Sequence, residues 1–472
     1  MKKINLMAAS CQRDITPSLP VALTGQYYSR VATEVFSRLT ANIVALESSF
    51  EEKSDLLVFV SCDLIGIPAK FVKKIREETS KLLPGFETEK IIVNAIHTHT
   101  GPLVYSDMGS NLWGPDFDYE VTIPGEQNPD LYADTAAKKI ADGIIEAYGK
   151  MVPVKMATGF DYLSLSYNRR VVYEDGHAEM YGSTARPDFK NIEGPTDSGI
   201  HFMAFENEEN KLIAALINVP CPSQILEHHS FVSSDFWHNV RENLNKKYGD
   251  QLVVVALCGA AGDLSPRDLV RTAMDEPLMH KTKMYNNEGA VYIADKIARA
   301  FEDFYKNSEM SYEATLKHIT KIHLTPVYSV TKEDMEESKI KYAALRAKHK
   351  NMSEFTEAEC MYLSIYAGCV KRYELQQKIS KYPIELHCIK IGDATIATNP
   401  FEFYLYYADK IRSKAKNPNT FIVQLACGYE GYLATETAIK HGGYSTYPCN
   451  GLIGPEGGEE LVKVTAQMLE SI

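Results

Sequence analysis

Short apolar runs that alternate with amphipathic segments are the feature of this sequence that most restricts its fold. The run LVVVALC at 252–258 is continuous, which is typical of a strand buried on both faces. Similar patterns predict strands at 40–48, 55–64, 90–97, 211–219, 251–258, 385–391, 395–398 and 421–426. A 3.6-residue apolar period predicts helices at 69–83, 130–150, 287–306 and 459–472.

The segment 331–381 differs from the rest of the chain. It is charged, lacks proline and contains a single glycine, Gly368, so it predicts a helical hairpin. No linker rich in Pro, Gly or Ser divides the sequence. We therefore predict an α/β fold, with one large catalytic domain over 1–472. Its mixed β-sheets are flanked by helices, and a helical insertion lies at about 331–381.

Charge and cysteine usage exclude some classes of function. The chain has 50 basic and 62 acidic residues, a net charge of −12, which argues against nucleic acid as the main partner. Nine cysteines without a CxxC pair do not form a disulfide framework, and reduced thiols favour the cytoplasm. The N-terminal apolar stretch is shorter than the ~7–15 residues of a signal peptide. No run reaches the ~18–20 apolar residues of a membrane span. We expect a small-molecule partner and no stable membrane insertion; the oligomeric state stays open.

Two histidines stand one residue apart in NAIHTHTGP, at 94–102, after an apolar run. Side chains at alternate positions of a strand share a face, so His97 and His99 are predicted to project together. Histidine is the commonest metal ligand and the usual general base near neutral pH. A hydrogen-bonded pair in a polar loop is the other interpretation. The segment 103–128 is a candidate cover for this site by its position alone.

Other chemistry-bearing residues also follow predicted strands, where α/β proteins place their active sites. PCPSQ follows 211–219, CGAAGDLSP begins at the end of 251–258, and NPFE follows 395–398. A further segment contains GYLAT and then GGYST. These exits contribute a thiol, a serine in a glycine-rich turn, a carboxylate and two tyrosines.

Several of these motifs together resemble the neutral ceramidase family of zinc amidases. HTHTGP, GDLSP, the Asn-Pro-x-Glu element and the Tyr…GGYST segment have the same order, and QYYSRVATEVFSRLTANIVALE and VSCDLIG also fit. The resemblance runs from about residue 12 to near the C-terminus. It implies a zinc-dependent hydrolase of amide bonds. Ceramidases carry an additional C-terminal β-domain, which we do not expect in this chain.

The resemblance implies a zinc site. His97, Glu402 and Tyr432 match three of the family's ligands. The remaining ligand, a histidine, stands fourteen residues before the aspartate of a Ser-x-Asp element. Counting back from Asp235 gives Cys221. Thiolate is a sound zinc ligand, with a Zn–S distance near ~2.3 Å. Alternatively His228 or His229 completes the site, or the site is lost.

The resemblance also implies the catalytic residues. Ser265 of the GDLSP turn matches the nucleophile, with zinc hydroxide as the alternative. His99 matches a residue beside the scissile bond, and Arg169 of Asn168-Arg169 matches an active-site arginine. Tyr444, twelve residues after Tyr432, matches the residue that stabilises the oxyanion.

The substrate is not fixed by the fold. We expect an N-acyl compound smaller or more polar than ceramide, such as an acylated amino sugar or amino acid. One alternative is a zinc-dependent esterase or deacetylase with the same site. Another is a non-catalytic pseudoenzyme, if cysteine at position 221 abolishes metal binding.

Overall fold

A computed structural model describes residues 6–50, 53–105, 128–274, 286–351 and 354–472. Most of the candidate cover at 103–128 lies outside these residues. The strands are β1 (Leu6–Asp14), β2 (Val21–Leu23), β3 (Arg30–Ala32), β4 (Thr40–Phe50), β5 (Lys53–Cys62), β6 (Ile91–Ala95), β7 (Val152–Tyr162), β8 (Tyr167–Asn168), β9 (Arg170–Tyr173), β10 (Ala178–Met180), β11 (Phe189–Ile192), β12 (Gly199–Asn207), β13 (Leu212–Val219), β14 (Val253–Cys258), β15 (Leu264–Ser265), β16 (Leu316–Pro326), β17 (Lys381–Ile391), β18 (Ala394–Thr398), β19 (Glu402–Phe403), β20 (Thr420–Val423) and β21 (Tyr432–Leu433).

Helices connect and cover these strands. They are α1 (Ala69–Leu82), α2 (Pro129–Gly149), α3 (Phe236–Tyr248), α4 (Leu269–Met274), α5 (Asn287–Asn307), α6 (Lys332–Arg346), α7 (Glu357–Gln376), α8 (Leu405–Ala415), α9 (Glu436–His441) and α10 (Pro455–Glu470). Short 3-10 helices span Thr88–Lys90, Tyr444–Thr446 and Pro448–Asn450. No helix of the described residues is long and apolar enough to cross a lipid bilayer.

The largest sheet has eight strands in the order β14-β13-β12-β7-β1-β4-β5-β6. It is mixed, because β5 pairs with β6 and β13 with β14 in parallel, while the other pairs are antiparallel. The sheet curves so that its edge strands approach each other. The side-chain amide of Asn94 in β6 donates to the carbonyl oxygen of Ala256 in β14 at 3.0 Å. The exits of these two strands therefore lie close together.

A second sheet, in the order β16-β17-β18-β20, packs on the first. The largest apolar cluster contains residues of both sheets, such as Val60 and Ile396, together with Phe71 of α1 and Ile140 of α2. The amide of Asn218 in β13 donates to a carbonyl oxygen of β14 and to one of β20, at 3.1 and 3.0 Å. This contact brings the end of the second sheet to the same strand exits.

Helices flank the sheets on their outer sides. Trp237 of α3 and Phe301 of α5 pack in the apolar cluster behind β12–β14. Tyr407 of α8 and Leu461 of α10 pack behind the second sheet. The predicted α/β fold, with mixed sheets flanked by helices, is confirmed. Burying such apolar side chains contributes about 1.5–3 kcal/mol each.

Several segments depart from the sequence predictions. β7 and β12 lie within the large sheet, although no strand was predicted there. β7 has a partly exposed face and shows no clear apolar alternation. The strand predicted at 90–97 ends at Ala95.

The segment 331–381 contains α6 and α7, and Thr356 with Glu359 forms a capping box at the start of α7.

Candidate metal and catalytic site

His97 and His99 lie in the loop after β6. Because β6 ends at Ala95 and His97 has a φ of 65°, strand alternation does not explain their approach. Their Nε2 atoms lie 3.3 Å apart. Nδ1 of His97 lies 2.8 Å from the carbonyl oxygen of Ile65, which can only accept a hydrogen bond. In the neutral ring Nδ1 therefore carries the proton, and Nε2 keeps its lone pair.

The ring of His99 is held by the segment after β13. The side-chain amide of Gln224 lies 2.8 Å from Nε2 of His99, and a carboxylate oxygen of Glu227 lies 3.4 Å from Nδ1. The buried guanidinium of Arg30 donates to the carbonyl oxygens of both His99 and Glu227, at 2.6 and 2.7 Å. Burial holds the pKa of His99 well below its usual value, and the nearby His97 lowers it further. His99 is therefore a neutral ring in a fixed orientation.

Glu402 reaches the same place from the second sheet. The parallel pairing of β19 with β21 sets Glu402 beside Tyr432. Oε2 of Glu402 lies 3.5 Å from Nε2 of His97, and the hydroxyl of Tyr429 donates to Oε1 at 3.3 Å. In the neutral form of His97, a nitrogen lone pair and a carboxylate oxygen thus face each other without a hydrogen atom between them. A metal cation is suited to this gap, because both atoms are ordinary zinc ligands.

Arg169 lies beside Glu402 and Tyr432 on one side of the site. Its Nη2 atom lies 3.9 Å from Oε2 of Glu402 and 3.3 Å from the hydroxyl of Tyr432. The guanidinium also donates to the hydroxyl of Tyr181 at 3.0 Å and to the carbonyl oxygen of Gly262 at 2.9 Å. Arg169 is buried, so these partners fix a positive charge beside the carboxylate.

The two predicted tyrosines meet at this site. The rings of Tyr432 and Tyr444 are in edge contact, with centroids 5.6 Å apart. The hydroxyl of Tyr27 donates to that of Tyr444 at 2.6 Å. Burial raises the pKa of Tyr444, so the hydroxyl stays protonated. Since Tyr27 uses an acceptor position, the proton of Tyr444 is available for another oxygen.

The turn that contains Ser265 packs on the strand that contains Glu402. The backbone N–H of Gly262 donates to the carbonyl oxygen of Phe403 at 3.0 Å. A carboxylate oxygen of Asp263 accepts from the N–H of Leu405, also at 3.0 Å. Ser265 itself is buried and pairs with Tyr167 of β8, two residues before Arg169 in the sequence. Its Oγ accepts from the N–H of Arg267 at 3.2 Å.

Cys221 lies two residues after the end of β13, with its thiol among apolar side chains. Sγ donates to the carbonyl oxygens of Leu165 and Pro222, at 3.5 and 3.6 Å. Ile96 and Trp237 belong to the same apolar cluster. Burial raises the pKa of this thiol well above its usual value. In this arrangement the thiol is protonated, and its role as a zinc ligand stays a prediction.

The two alternative histidines have other partners. Half of the His228 side chain is exposed, and its Nε2 lies 2.6 Å from Nη2 of Arg267. His229 stacks on Phe231, with ring centroids 4.7 Å apart. Arg267 also forms an ion pair of 2.7 Å with Glu227, the residue beside His99. His228 is therefore linked to the site through Arg267 and Glu227.

The structure adds polar residues that the sequence motifs did not single out. Gln224 and Glu227 follow Cys221 in the predicted strand exit, and Tyr429 precedes Tyr432 in ACGYEGY. Tyr27 lies in the QYYSR segment, where nothing in the local sequence distinguishes it from Tyr28. For Gln224, Glu227 and Tyr429, the available signal in the sequence was their position near the end of a predicted strand.

A different group has the tightest set of possible metal ligands within the described ranges. Glu385, His387 and Cys427 offer ligand atoms that all lie within 4.8 Å of one another. None of these residues was predicted as a ligand. His97 and Glu402 belong to a separate site.

Comparison with known proteins rests on structure. No protein-family model and no curated protein matches the sequence. The crystal structure of neutral ceramidase from Pseudomonas aeruginosa matches with a TM-score of 0.69 and 16% identity, covering 99% of this chain and 74% of that one. A structure of a ceramidase complexed with C2 matches with a TM-score of 0.68 and 16% identity, covering 99% and 75%. The chain thus has a neutral ceramidase-like fold.

Proposed function

We propose that this chain is a zinc-dependent hydrolase of the amide bond of an N-acyl compound. The single observation that carries the proposal is the gap between His97 and Glu402, where Nε2 of His97 lies 3.5 Å from a carboxylate oxygen of Glu402. The neutral ceramidase-like fold supports the same reaction class, because the matched structures are named as ceramidases.

His97, Glu402 and Tyr432 would hold the metal, with Cys221 as the proposed fourth ligand. Nitrogen, oxygen and sulfur donors in sets of three or four are typical of zinc. Zinc supplies a Lewis acid that polarises the carbonyl group of the substrate. Tyr429 orients Glu402 by donating to its other carboxylate oxygen. Such outer hydrogen bonds hold ligand side chains in place.

Ser265 would attack the carbonyl carbon. A serine hydroxyl needs a base to take its proton, and the departing amine needs a proton in return. His99 is neutral and fixed by Gln224, so it is suited to move that proton. A positioned histidine of this kind contributes roughly 10²–10⁴-fold to the rate.

Tyr444 and Arg169 would stabilise the negative charge that develops on the carbonyl oxygen. The hydroxyl proton of Tyr444 is available, because Tyr27 donates to its oxygen. Arg169 is held in place by Tyr181 and Gly262. One fixed donor of this type is typically worth about 3–4 kcal/mol of transition-state stabilisation.

The substrate we propose is smaller or more polar than ceramide, such as an acylated amino sugar or amino acid. We also propose that the protein works in the cytoplasm, because its nine cysteines are free and buried. Reduced thiols are usual in that compartment.

Turnover of a panel of N-acyl and O-acyl compounds, with and without a zinc chelator, tests the proposal. We expect amide cleavage that needs zinc and that the Ser265→Ala variant loses while it still binds zinc. Ser48→Ala is a matched control, because Ser48 is buried in β4 and its hydroxyl has no hydrogen-bond partner. Cleavage of O-acyl compounds alone would show an esterase. No zinc binding after supplementation would show a protein without this catalysis.

A further inference from the structure

A second cluster of ligand side chains lies at the edge between the two sheets. Glu385 and His387 occupy alternate positions of β17, so they share a face of that strand. Cys427 follows β20, and its backbone N–H donates to the carbonyl oxygen of Val93 in β6 at 2.8 Å. A cavity of about 390 Å³ opens beside them, lined by Glu385, Cys427 and residues of α1 that include Arg76.

The hydrogen bonds of the cluster determine where the protons lie. The carbonyl oxygen of Leu56 can only accept, so Nδ1 of His318, at 3.0 Å, carries a proton. Nε2 of the neutral His318 ring is then an acceptor, and Nδ1 of His387 donates to it at 3.0 Å. The remaining nitrogen of His387, Nε2, faces Oε1 of Glu385 at 2.8 Å.

The short contact between Nε2 of His387 and Oε1 of Glu385 can be explained in two ways. A proton on Nε2 would turn His387 into an imidazolium. Otherwise a metal ion joins the nitrogen lone pair to the carboxylate, with Sγ of Cys427 as a further ligand. A histidine that binds zinc typically donates its other ring N–H to a fixed acceptor, and His318 provides that acceptor.

Arg76 contacts Glu385 and also lies close to Cys427, with its Nη2 atom 3.8 Å from Sγ. Its guanidinium donates to both oxygens of Glu385, at 3.0 and 2.6 Å, and to the carbonyl oxygen of Ile91 at 2.7 Å. Zinc would displace the proton between His387 and Glu385 and the thiol proton of Cys427. Two protons leave and one dication enters, so the net charge of the cluster does not change. Arg76 then orients the ligand carboxylate.

We propose that Glu385, His387 and Cys427 form a second zinc site beside the cavity. Imidazole, carboxylate and thiolate are all common zinc ligands. Cys427 begins the segment that continues to Tyr429 and Tyr432. Zinc at this place would therefore hold in position the segment that contacts Glu402.

Cobalt(II) binding to the metal-free full chain tests this site, because a thiolate ligand gives a charge-transfer absorption band in the near ultraviolet. Cys221 is proposed as a thiolate ligand of the first site, so the band is compared in chains that carry Cys221→Ser. We expect it in Cys221→Ser and its loss when Cys427→Ser is added. Cys388→Ser is the matched control, since Cys388 is buried in β17 and its thiol points to the carbonyl oxygen of Thr465. A band that remains when Cys427→Ser is added to Cys221→Ser, or no band in Cys221→Ser, would overturn the proposal.

The native chain offers a second measurement that does not depend on a variant folding. Because Cys427 lines the cavity, zinc bound there should protect its thiol from alkylation, as mapped by mass spectrometry. An equal extent of alkylation with and without zinc would overturn the site. Activity plays no part in either readout, so failure of the proposed amide hydrolysis would leave this test unaffected.

Discussion

Nε2 of His97 and a carboxylate oxygen of Glu402 lie 3.5 Å apart, although one follows the large sheet and the other the second sheet. Nδ1 of His97 is committed to the carbonyl oxygen of Ile65, so in the neutral ring the facing nitrogen has a lone pair. Two electron-rich atoms are held together here by the packing of two sheets. This relationship is the basis of the first prediction.

Removing the charge of Glu402 should weaken metal binding. In Glu402→Gln the carboxylate becomes a neutral amide, and we expect zinc affinity at this site to fall by more than the ~10–100-fold typical of an outer hydrogen-bond partner. Competition with a chromophoric chelator measures the affinity. Glu436→Gln is the control, because that side chain is 75% exposed on α9. Equal affinity in both variants would contradict the role of Glu402 as a ligand.

Gly262 allows the serine turn to approach Glu402. A Cβ atom at position 262 would lie 2.3 Å from the carbonyl oxygen of Glu402, which is backbone and cannot move freely. We expect Gly262→Ala to lower the free energy of unfolding by about 1–3 kcal/mol, as overpacking does, and to reduce turnover. Urea denaturation gives the first quantity and kcat the second.

Gly149→Ala is the matched control for this prediction. Gly149 is the last residue of α2, and a Cβ there meets no atom within 4 Å. Its stability should be unchanged or slightly raised, because alanine favours helix over glycine by up to ~1 kcal/mol. If both variants were equally stable, the close approach at Gly262 would not be constraining.

Tyr27 should position Tyr444 for catalysis. In Tyr27→Phe the hydrogen bond of 2.6 Å to the Tyr444 hydroxyl is lost. Such a bond is worth about 0.5–1.5 kcal/mol, so we expect kcat to fall roughly 2- to 10-fold while zinc affinity is retained. Tyr28→Phe is the control, because the hydroxyl of Tyr28 lies 3.4 Å from Nδ1 of the exposed His228 side chain. A fall in zinc affinity equal to that in kcat would instead indicate a general disturbance of the site.

The sequence predicts where the strands begin and end better than it predicts which of the loops that follow them contact each other. LVVVALC corresponds closely to β14, because a strand buried on both faces leaves an unbroken apolar run. Local periodicity carries no information about which exits converge. The bond from Tyr27 to Tyr444 joins residues on opposite ends of the chain and depends on how the sheets pack. His97 was assigned to a strand, but it lies in the loop after β6 with a positive φ.

The ligand set shows the same limit. His97 and Glu402 were identified from motifs, and the structure brings them together. Counting along the sequence reached Cys221, but the thiol contacts two carbonyl oxygens within an apolar cluster. A residue count fixes backbone position and leaves the direction of a side chain open. Glu385 lies in one strand of the second sheet and Cys427 follows another, and no motif marks them.

Asp235 should make stability depend on pH between about 4 and 6. Burial raises the pKa of its carboxyl from 3.8 to about 6, although backbone N–H groups, including that of Leu226 at 2.7 Å, oppose the shift. The folded chain therefore holds this proton more tightly than the unfolded chain. Its contribution to stability is present below pH 4 and is lost as the pH rises through about 6.

Replacing this residue with Asn removes the titration. The difference in the free energy of unfolding between Asp235→Asn and the native chain should change by roughly 2–3 kcal/mol between pH 4 and pH 7, in favour of the variant at the higher pH. Urea denaturation across that range measures it. A constant cost from the altered hydrogen bonds would shift the whole curve without changing its slope. Parallel curves would therefore show that the Asp235 carboxyl titrates alike in the folded and unfolded chains.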